Sequence, residues 1–340
     1  MRYMGNDAGT DEYGLALKTF WGNVVEAYRD ETILFNDEQG VIATKNISGT
    51  NSAQFLMLAD TPDAEDHVPG NELMGQEYAV GDGTIAIDGY VVAHHDVPMD
   101  QILTSHFDIV GKLGMKMGQK LAQNYDKKLF NLAVNAARTA SRTHTATGLN
   151  IHNGGNRVES VHASGVGSAF PVTSAGAIAY RNKAEELAQA MDEDNVPESG
   201  RYLYITPYIR RVLNQDTSIF DTDYTRGVRN EFNKRIIGEL AGFNVVVAKN
   251  RIPSTNITGY DKTKYNGDYR YNGATGEPAG IALCGASQEM AAIGVARVQS
   301  IIPKMKEDER RSTMFMKASI LMGADVLHPW CAGTIEVDDA

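Results

Sequence analysis

The sequence has little cysteine, no long apolar run and, over its first third, almost no positive charge. Two cysteines in 340 residues are too few for a disulfide scaffold or a cysteine-rich zinc module. Cys284 and Cys331 stand far apart in apolar surroundings, so buried thiols are the expectation. No run is long enough to span a bilayer. The opening Met1-Arg2-Tyr3-Met4-Gly5-Asn6-Asp7 lacks the apolar core of a signal peptide. The expectation is a soluble chain made in a reducing cytoplasm, with no membrane partner. Neither Lys nor Arg occurs between Lys45 and Lys112. Residues 1–100 hold 18 acidic and 4 basic side chains, whereas the remainder holds 25 and 28. So acidic a first third excludes nucleic-acid binding there. It suits solubility, or docking onto a less acidic surface of another subunit.

Catalytic signatures are equally scarce. There is no phosphate-binding G-x-x-x-x-G-K-[ST] loop, and Gly165-Val166-Gly167 lacks the third glycine and the preceding strand of a dinucleotide fingerprint. Glu289 stands where a nucleophile elbow around Ser287 needs its last glycine. His94 and His95 are adjacent, and neighbours on a strand point to opposite faces, so they do not converge on one metal ion. Asp192-Glu193-Asp194-Asn195 matches a calcium loop in composition only and reads as a charged helix end. No catalytic, cofactor-binding or metal-binding residue is assigned, and the chain is expected not to be an enzyme.

What is present is a globular chain, 42% hydrophobic and 22% charged, with enough length to bury a sizeable core. Its elements indicate an α+β fold without regular βα alternation. Leu17, Phe20, Trp21, Val24 and Tyr28 recur at helical spacing, predicting an amphipathic helix near residues 15–29. Strand-like runs at 53–58 and 84–93 flank a turn-rich stretch, which suggests a projecting hairpin. From 101 to 140, Leu103, Phe107, Val110, Leu113, Met117, Leu121, Tyr125, Leu129 and Leu132 step by three or four. They predict one long helix of roughly 50–60 Å. Gly111, Gly114 and Gly118 lie inside it, for close packing or a bend. Lys112, Lys116, Lys120, Lys127 and Arg138 fall in one arc opposite the apolar stripe, either a solvated face or a functional basic stripe. Residues 141–170 read as a linker. A helix over 175–192, a strand over 201–206, a helix from Pro207 to Asn214, a strand over 243–248 and a long insertion over 254–278 follow. A strand at 281–284, a helix over 287–293 and an extended end over 313–337 complete the chain.

Several phrases carry a resemblance. Val196-Pro197-Glu198-Ser199-Gly200-Arg201 joins a helix to the strand that ends at Thr206-Pro207. Gly238-Glu239-Leu240-Ala241-Gly242-Phe243-Asn244-Val245 precedes Asn250-Arg251-Ile252-Pro253, and Gly323-Ala324-Asp325-Val326-Leu327-His328-Pro329 comes near the end. With Ser105-His106-Phe107-Asp108 in the long helix, this order resembles the major capsid proteins of tailed bacteriophages, especially short-tailed podoviruses. Trp330 departs from it, standing where a polar residue is the family's habit.

The resemblance implies the Hong Kong 97-type fold. It divides the chain into an N-terminal arm (1–45), an extended hairpin loop (46–97), a peripheral domain with a spine helix (98–170), an axial domain (171–303) and a return to the peripheral domain (304–340). It implies a subunit that assembles with itself into hexamers and pentamers, in the bacterial host cytoplasm, as the icosahedral shell of a virion around double-stranded DNA. Because the arm begins so near the start, a separate scaffolding protein is implied. A portal protein at one vertex, weak contact with packaged DNA and a decoration protein are further implied partners. Phe20, Trp21, Val24 and Tyr28 would make the arm's inter-subunit contact, and Lys112, Lys116, Lys120, Lys127 and Arg138 would face the lumen. In the founding member of the fold a lysine of the hairpin loop forms an isopeptide bond to a neighbour. Here residues 46–111 contain no lysine, so that bond cannot start from the loop. The alternatives are an encapsulin-type shell and a cytoplasmic α+β enzyme.

Overall fold

A computed structural model describes residues 12–34, 41–58, 66, 72, 80–143, 150–162, 164–215, 238–271, 276–285 and 290–338. Helix α1 (Glu12–Glu31) brings Phe20, Val24 and Tyr28 onto one buried side, as their spacing of four dictates. Strands β1 (Ile42–Asn46), β2 (Ser52–Leu58), β3 (Val80–Ala86) and β4 (Gly89–Pro98) follow. β2 and β3 pair antiparallel from Ser52↔Ala86 to Leu58↔Val80, forming a two-stranded hairpin. Most of the stretch between them lies outside the described residues. The single strand expected over 84–93 is two, because Gly89 takes φ +131°. A backbone conformation open to glycine turns the chain there from β3 into β4.

The long helix is also broken. α2 (Met99–Thr104) and α3 (Ile109–Ala137) are separated at Ser105–Asp108. The Asp108 carboxylate accepts the Gly111 N–H at 2.8 Å. It satisfies an orphan donor at the new N-terminus, so local capping outweighs the continuous apolar spacing. The 29 residues of α3 extend about 43 Å, less than one uninterrupted helix would. From Leu129 to Val134 every residue is buried, as suits a segment without charge on any face.

The expected linker over 141–170 is more regular than its polar composition suggests. It contains β5 (Arg142–Thr143), β6 (Asn150–His152), β7 (Asn156–Val161) and α4 (Gly165–Ala169). α5 (Ser174–Glu193), β8 (Arg201–Ile205) and α6 (Pro207–Leu213) come next. Thr173 and Thr206 cap the two helices through their hydroxyl oxygens. The chain continues through β9 (Glu239–Leu240), β10 (Phe243–Val247), β11 (Glu277–Cys284), β12 (Ile293–Asp308), β13 (Thr313–Val326) and β14 (Ala332–Asp338). The helix expected over 287–293 is not there at its end, since Ile293 opens β12. Residues 286–289 lie outside the described part.

The larger strands form two sheets. One has the order β1-β12-β13-β4 and the other β7-β14-β11-β8-β10-β9. The second mixes parallel pairs, β7 with β14 and β8 with β10, with antiparallel ones. Its strands come from 156–161 and 332–338 as well as from 201–284. It therefore crosses the boundaries expected at 171 and 304, and β12 runs through the latter. Extended segments pair wherever their backbone groups find partners, not by position in the chain.

The phrase from Val196 to Arg201 has a structural reason. Asn195 (φ 56°) and Gly200 (φ 78°) turn the chain after α5. The buried Arg201 guanidinium donates to the Val196 and Pro197 carbonyls and meets Asp192 at 2.7 Å. A fixed fork of donors closes the helix end and starts β8.

Candidate assembly surfaces

The three glycines of α3 create a notch into which α1 is pressed. A Cβ on Gly118 would lie 2.4 Å from the Val24 carbonyl oxygen, and one on Gly114 would lie 2.9 Å from the Phe20 ring. Only a missing side chain admits so close an approach. This corrects the expected inter-subunit role of Phe20, Val24 and Tyr28. They are 1%, 0% and 2% exposed within this one chain, because α3 offers the apolar partner that α1 requires. Tyr28 also meets Tyr125 edge-on, with centroids 6.2 Å apart. Trp21 alone of the four remains outside, 48% exposed.

On the opposite arc of α3, Lys112, Lys116, Lys120 and Lys127 are exposed. Lys112 Nζ sits 5.1 Å from the centroid of the exposed Phe107 ring, and Lys120 donates to Gln123. Arg138 does not belong to this row. At the C-terminal end of α3 it turns inward, its Nε 2.9 Å from Glu336, and it donates to the Asp268 and Gly276 carbonyls. Arg157 reaches the other Glu336 oxygen at 2.7 Å. A fully buried carboxylate needs such partners, and that need outweighs the angular position of Arg138 on the helix.

Two polar junctions escaped the sequence reading. In the first, Asp126 of α3 is fully buried and accepts the Ile33 and Leu34 N–H groups at 3.0 and 3.4 Å. Arg251 Nε lies 3.5 Å from Asp126, and Arg251 pairs closely with Glu31, which Lys249 also meets at 3.2 Å. Burial raises the Asp126 carboxyl to about 6, against the lowering effect of the two N–H groups and Arg251. Burial also opposes ionisation of Glu31, but hydrogen bonds from Lys249 and Arg251 prevail and hold it low. In the second junction the insertion lies across the spine. Asn131 donates to the Tyr265 carbonyl and Asn135 to those of Lys264 and Asn266. The Tyr265 hydroxyl donates to Asp88 at 2.6 Å, where the hairpin ends. Lys264 meets Asp88 at 2.9 Å. The uncharged run at 129–137 was the one sequence signal that the C-terminal third of α3 is covered.

Exposed apolar side chains also occur on the four-stranded sheet, where Tyr90 and Val92 of β4 and Phe315 of β13 reach solvent. Tyr90 and Val92 lie opposite Leu321 and Ser319. His94 and His95 are exposed, and His94 leans on Phe315 with ring centroids 6.2 Å apart. Cys284 and Cys331 are buried and not joined in a disulfide. Among the described residues, no three His, Cys, Asp or Glu side chains are grouped to hold a metal. No helix among them is long and apolar enough to cross a membrane.

Comparison with known proteins gives this arrangement a context. A family model described as Gp10A-like major capsid protein matches residues 55–336. No curated protein matches the chain. The capsid structure of cyanophage P-SCSP1u is similar at a TM-score of 0.71 and 24% identity, covering 88% of this chain and 87% of that one. The mature capsid of bacteriophage PhiM1 is similar at a TM-score of 0.68 and 13% identity, with 88% and 86% covered. A structure from Mycobacterium phage Che8 gives 0.58 and 14%, with 91% and 90% covered.

Proposed function

The chain belongs to the Gp10A-like major capsid protein family, and we propose that, with a scaffolding protein, it builds the icosahedral shell of a short-tailed phage around double-stranded DNA. It has the Hong Kong 97-type capsid fold and is a shell-forming structural protein. The family match across most of the chain carries the reading. The hairpin β2–β3 and the exposed Trp21 support it, since a two-stranded projection is marginal alone and gains most from a neighbouring copy. The protein works without catalysis, and its chemistry is recognition of itself.

The finer assignments are as follows. Trp21 is the residue of α1 that meets another copy. Lys112, Lys116, Lys120 and Lys127 face the lumen, where they offset repulsion between an acidic subunit and packaged DNA. The arm and hairpin are the segments 1–45 and 46–97. The peripheral part is centred on α3 and β13, and the axial part on α5, β8, α6, β10 and β11. The portal occupies one vertex, and a decoration protein binds outside. Assembly takes place in the bacterial host cytoplasm. Mature shells hold together without isopeptide bonds from the hairpin loop.

Expression of the full chain with its scaffold, followed by sedimentation and electron microscopy, tests the proposal. Closed shells are the expected product. A stable monomer that never assembles, even with the scaffold present, would overturn it.

A further inference from the structure

We propose that Asp126, Arg251 and Glu31 form a proton-sensitive latch that sets how firmly the end of α1 is held on the spine helix. The inference stands apart from the assignment of lumen and contact residues above.

The geometry carries it. Three elements meet at one carboxylate. α3 supplies Asp126. The chain leaving α1 supplies the Ile33 and Leu34 N–H groups. The turn after β10 supplies Arg251, whose closer partner is Glu31 in the last turn of α1. The side chains of Asp126 and Arg251 are 0% and 5% exposed. A carboxylate has about four lone-pair sites, and the two N–H groups leave the rest of Asp126 poorly served. Arg251 Nε, 3.5 Å from it, is buried and makes no hydrogen bond among the described residues, because the guanidinium leans toward Glu31. The charged form of Asp126 is thus only partly compensated.

The sign of the pH effect follows. Held shut, the latch has its Asp126 carboxyl at about 6, against 3.8 for a carboxyl in water. The shut state therefore binds the proton more tightly than the open one. Between those values its stability is lost progressively as pH rises, and above about 6 the loss is complete. Several other charged or titratable groups face the cluster. Glu31 is held low by Lys249 and Arg251 and is already ionised. Lys249 faces Glu31, Arg251 faces Glu31 and Asp126, and Arg297 lies beside Tyr125. Tyr28 and Tyr204, whose hydroxyls burial raises, stay neutral, and the Tyr125 hydroxyl accepts from Arg297. Opening releases α1 from the glycine notch and uncovers Phe20, Val24 and Tyr28.

Hydrogen exchange of the purified full chain tests this, with rates corrected for the intrinsic pH dependence of exchange. Protection over residues 17–34 is expected to fall roughly tenfold from pH 5 to pH 8 as the latch weakens. Protection of β8 should hold steady. Asp126→Asn should flatten the profile of residues 17–34. A flat wild-type profile, protection that rises with pH, or a parallel fall in β8 would overturn the proposal. So would an Asp126→Asn chain that keeps the wild-type slope. If that variant does not fold, the wild-type profiles of the two segments decide alone.

Discussion

Glu336 shows how much one buried charge depends on its neighbours. It lies in β14, fully buried, between Arg138 and Arg157, and accepts a hydrogen bond from Thr334 at 3.1 Å. Glu336→Ala removes the carboxylate that Arg138 and Arg157 share, although Arg157 keeps Glu159 at 2.8 Å. Removing one partner of a buried ion pair costs about 3–5 kcal/mol. Denaturant unfolding of the subunit should show a loss of that order, and a smaller one for Glu336→Gln, which keeps acceptor capacity. A loss no larger than that of an ordinary surface substitution would show that the network contributes nothing. The two cysteines make a simpler case. Burial pushes the Cys331 thiol up, helped by the nearby Cys284. The thiolate is the reactive form, so thiol reagents at pH 8 should modify neither cysteine in the folded chain. Both should react once it is unfolded. Rapid labelling of the native protein would contradict the burial seen here.

Helix packing is decided by the space between α1 and α3. Alanine at an ordinary helical glycine gains up to about 1 kcal/mol of helix propensity. At Gly118 its Cβ would meet the Val24 backbone oxygen at 2.4 Å, and overpacking of this kind costs about 1–3 kcal/mol. The clash wins, so Gly118→Ala should loosen α1 and speed tryptic cleavage at Lys18 and Arg29, while Gly22→Ala, which meets nothing within 4 Å, should not. Equal cleavage of both variants would remove the notch from the account. The lysine row gives the reverse expectation. Replacing Lys112, Lys116 and Lys120 with glutamine should change subunit stability little, as exposed substitutions do within about 0.5 kcal/mol. It should, however, alter scaffold binding or DNA packaging, and unchanged particles would make the row a solvated face. These elements also show what was legible. The amphipathic spacing of α1, the hairpin, α5 and the Val196–Arg201 turn follow from short-range pattern and turn chemistry. The break at Asp108 was hidden because a cap uses one side chain whereas periodicity averages over many. The fate of Arg138 and the burial of Phe20, Val24 and Tyr28 depend on residues up to some two hundred positions away, such as Glu336. A helical wheel shows which side chains share a face, but not what covers that face. Asp126 was missed for the same reason, since its partners come from residues 33, 34 and 251.

For the whole molecule, the uneven charge leads to an expectation about how copies cohere. A hairpin loop without lysine has no amine with which to form an amide to a neighbour, and both cysteines are buried outside any disulfide. The expectation is then that cohesion between copies comes from buried area and from charge. One contact of this kind is weak, but a subunit held by several neighbours at once gains through effective concentration. Trp21 is exposed on α1; in the proposed contact with another copy, Trp21→Asp should leave the subunit folded while burying a charge, at a cost of several kcal/mol if unpaired. Folded subunits that no longer form shells are expected; normal shells would remove Trp21 from the interface. The first hundred residues are acidic and the remainder slightly basic, so contacts of one with the other between copies would carry electrostatic attraction. Salt screens such attraction over a Debye length of about 8 Å at physiological ionic strength. Raising ionic strength should therefore loosen intact particles before it unfolds their subunits. Particles boiled in denaturant without reductant should run as a single band near 37.0 kDa. A ladder of heavier bands that persists after reduction would mean that another amine in the chain forms the bond the hairpin loop cannot.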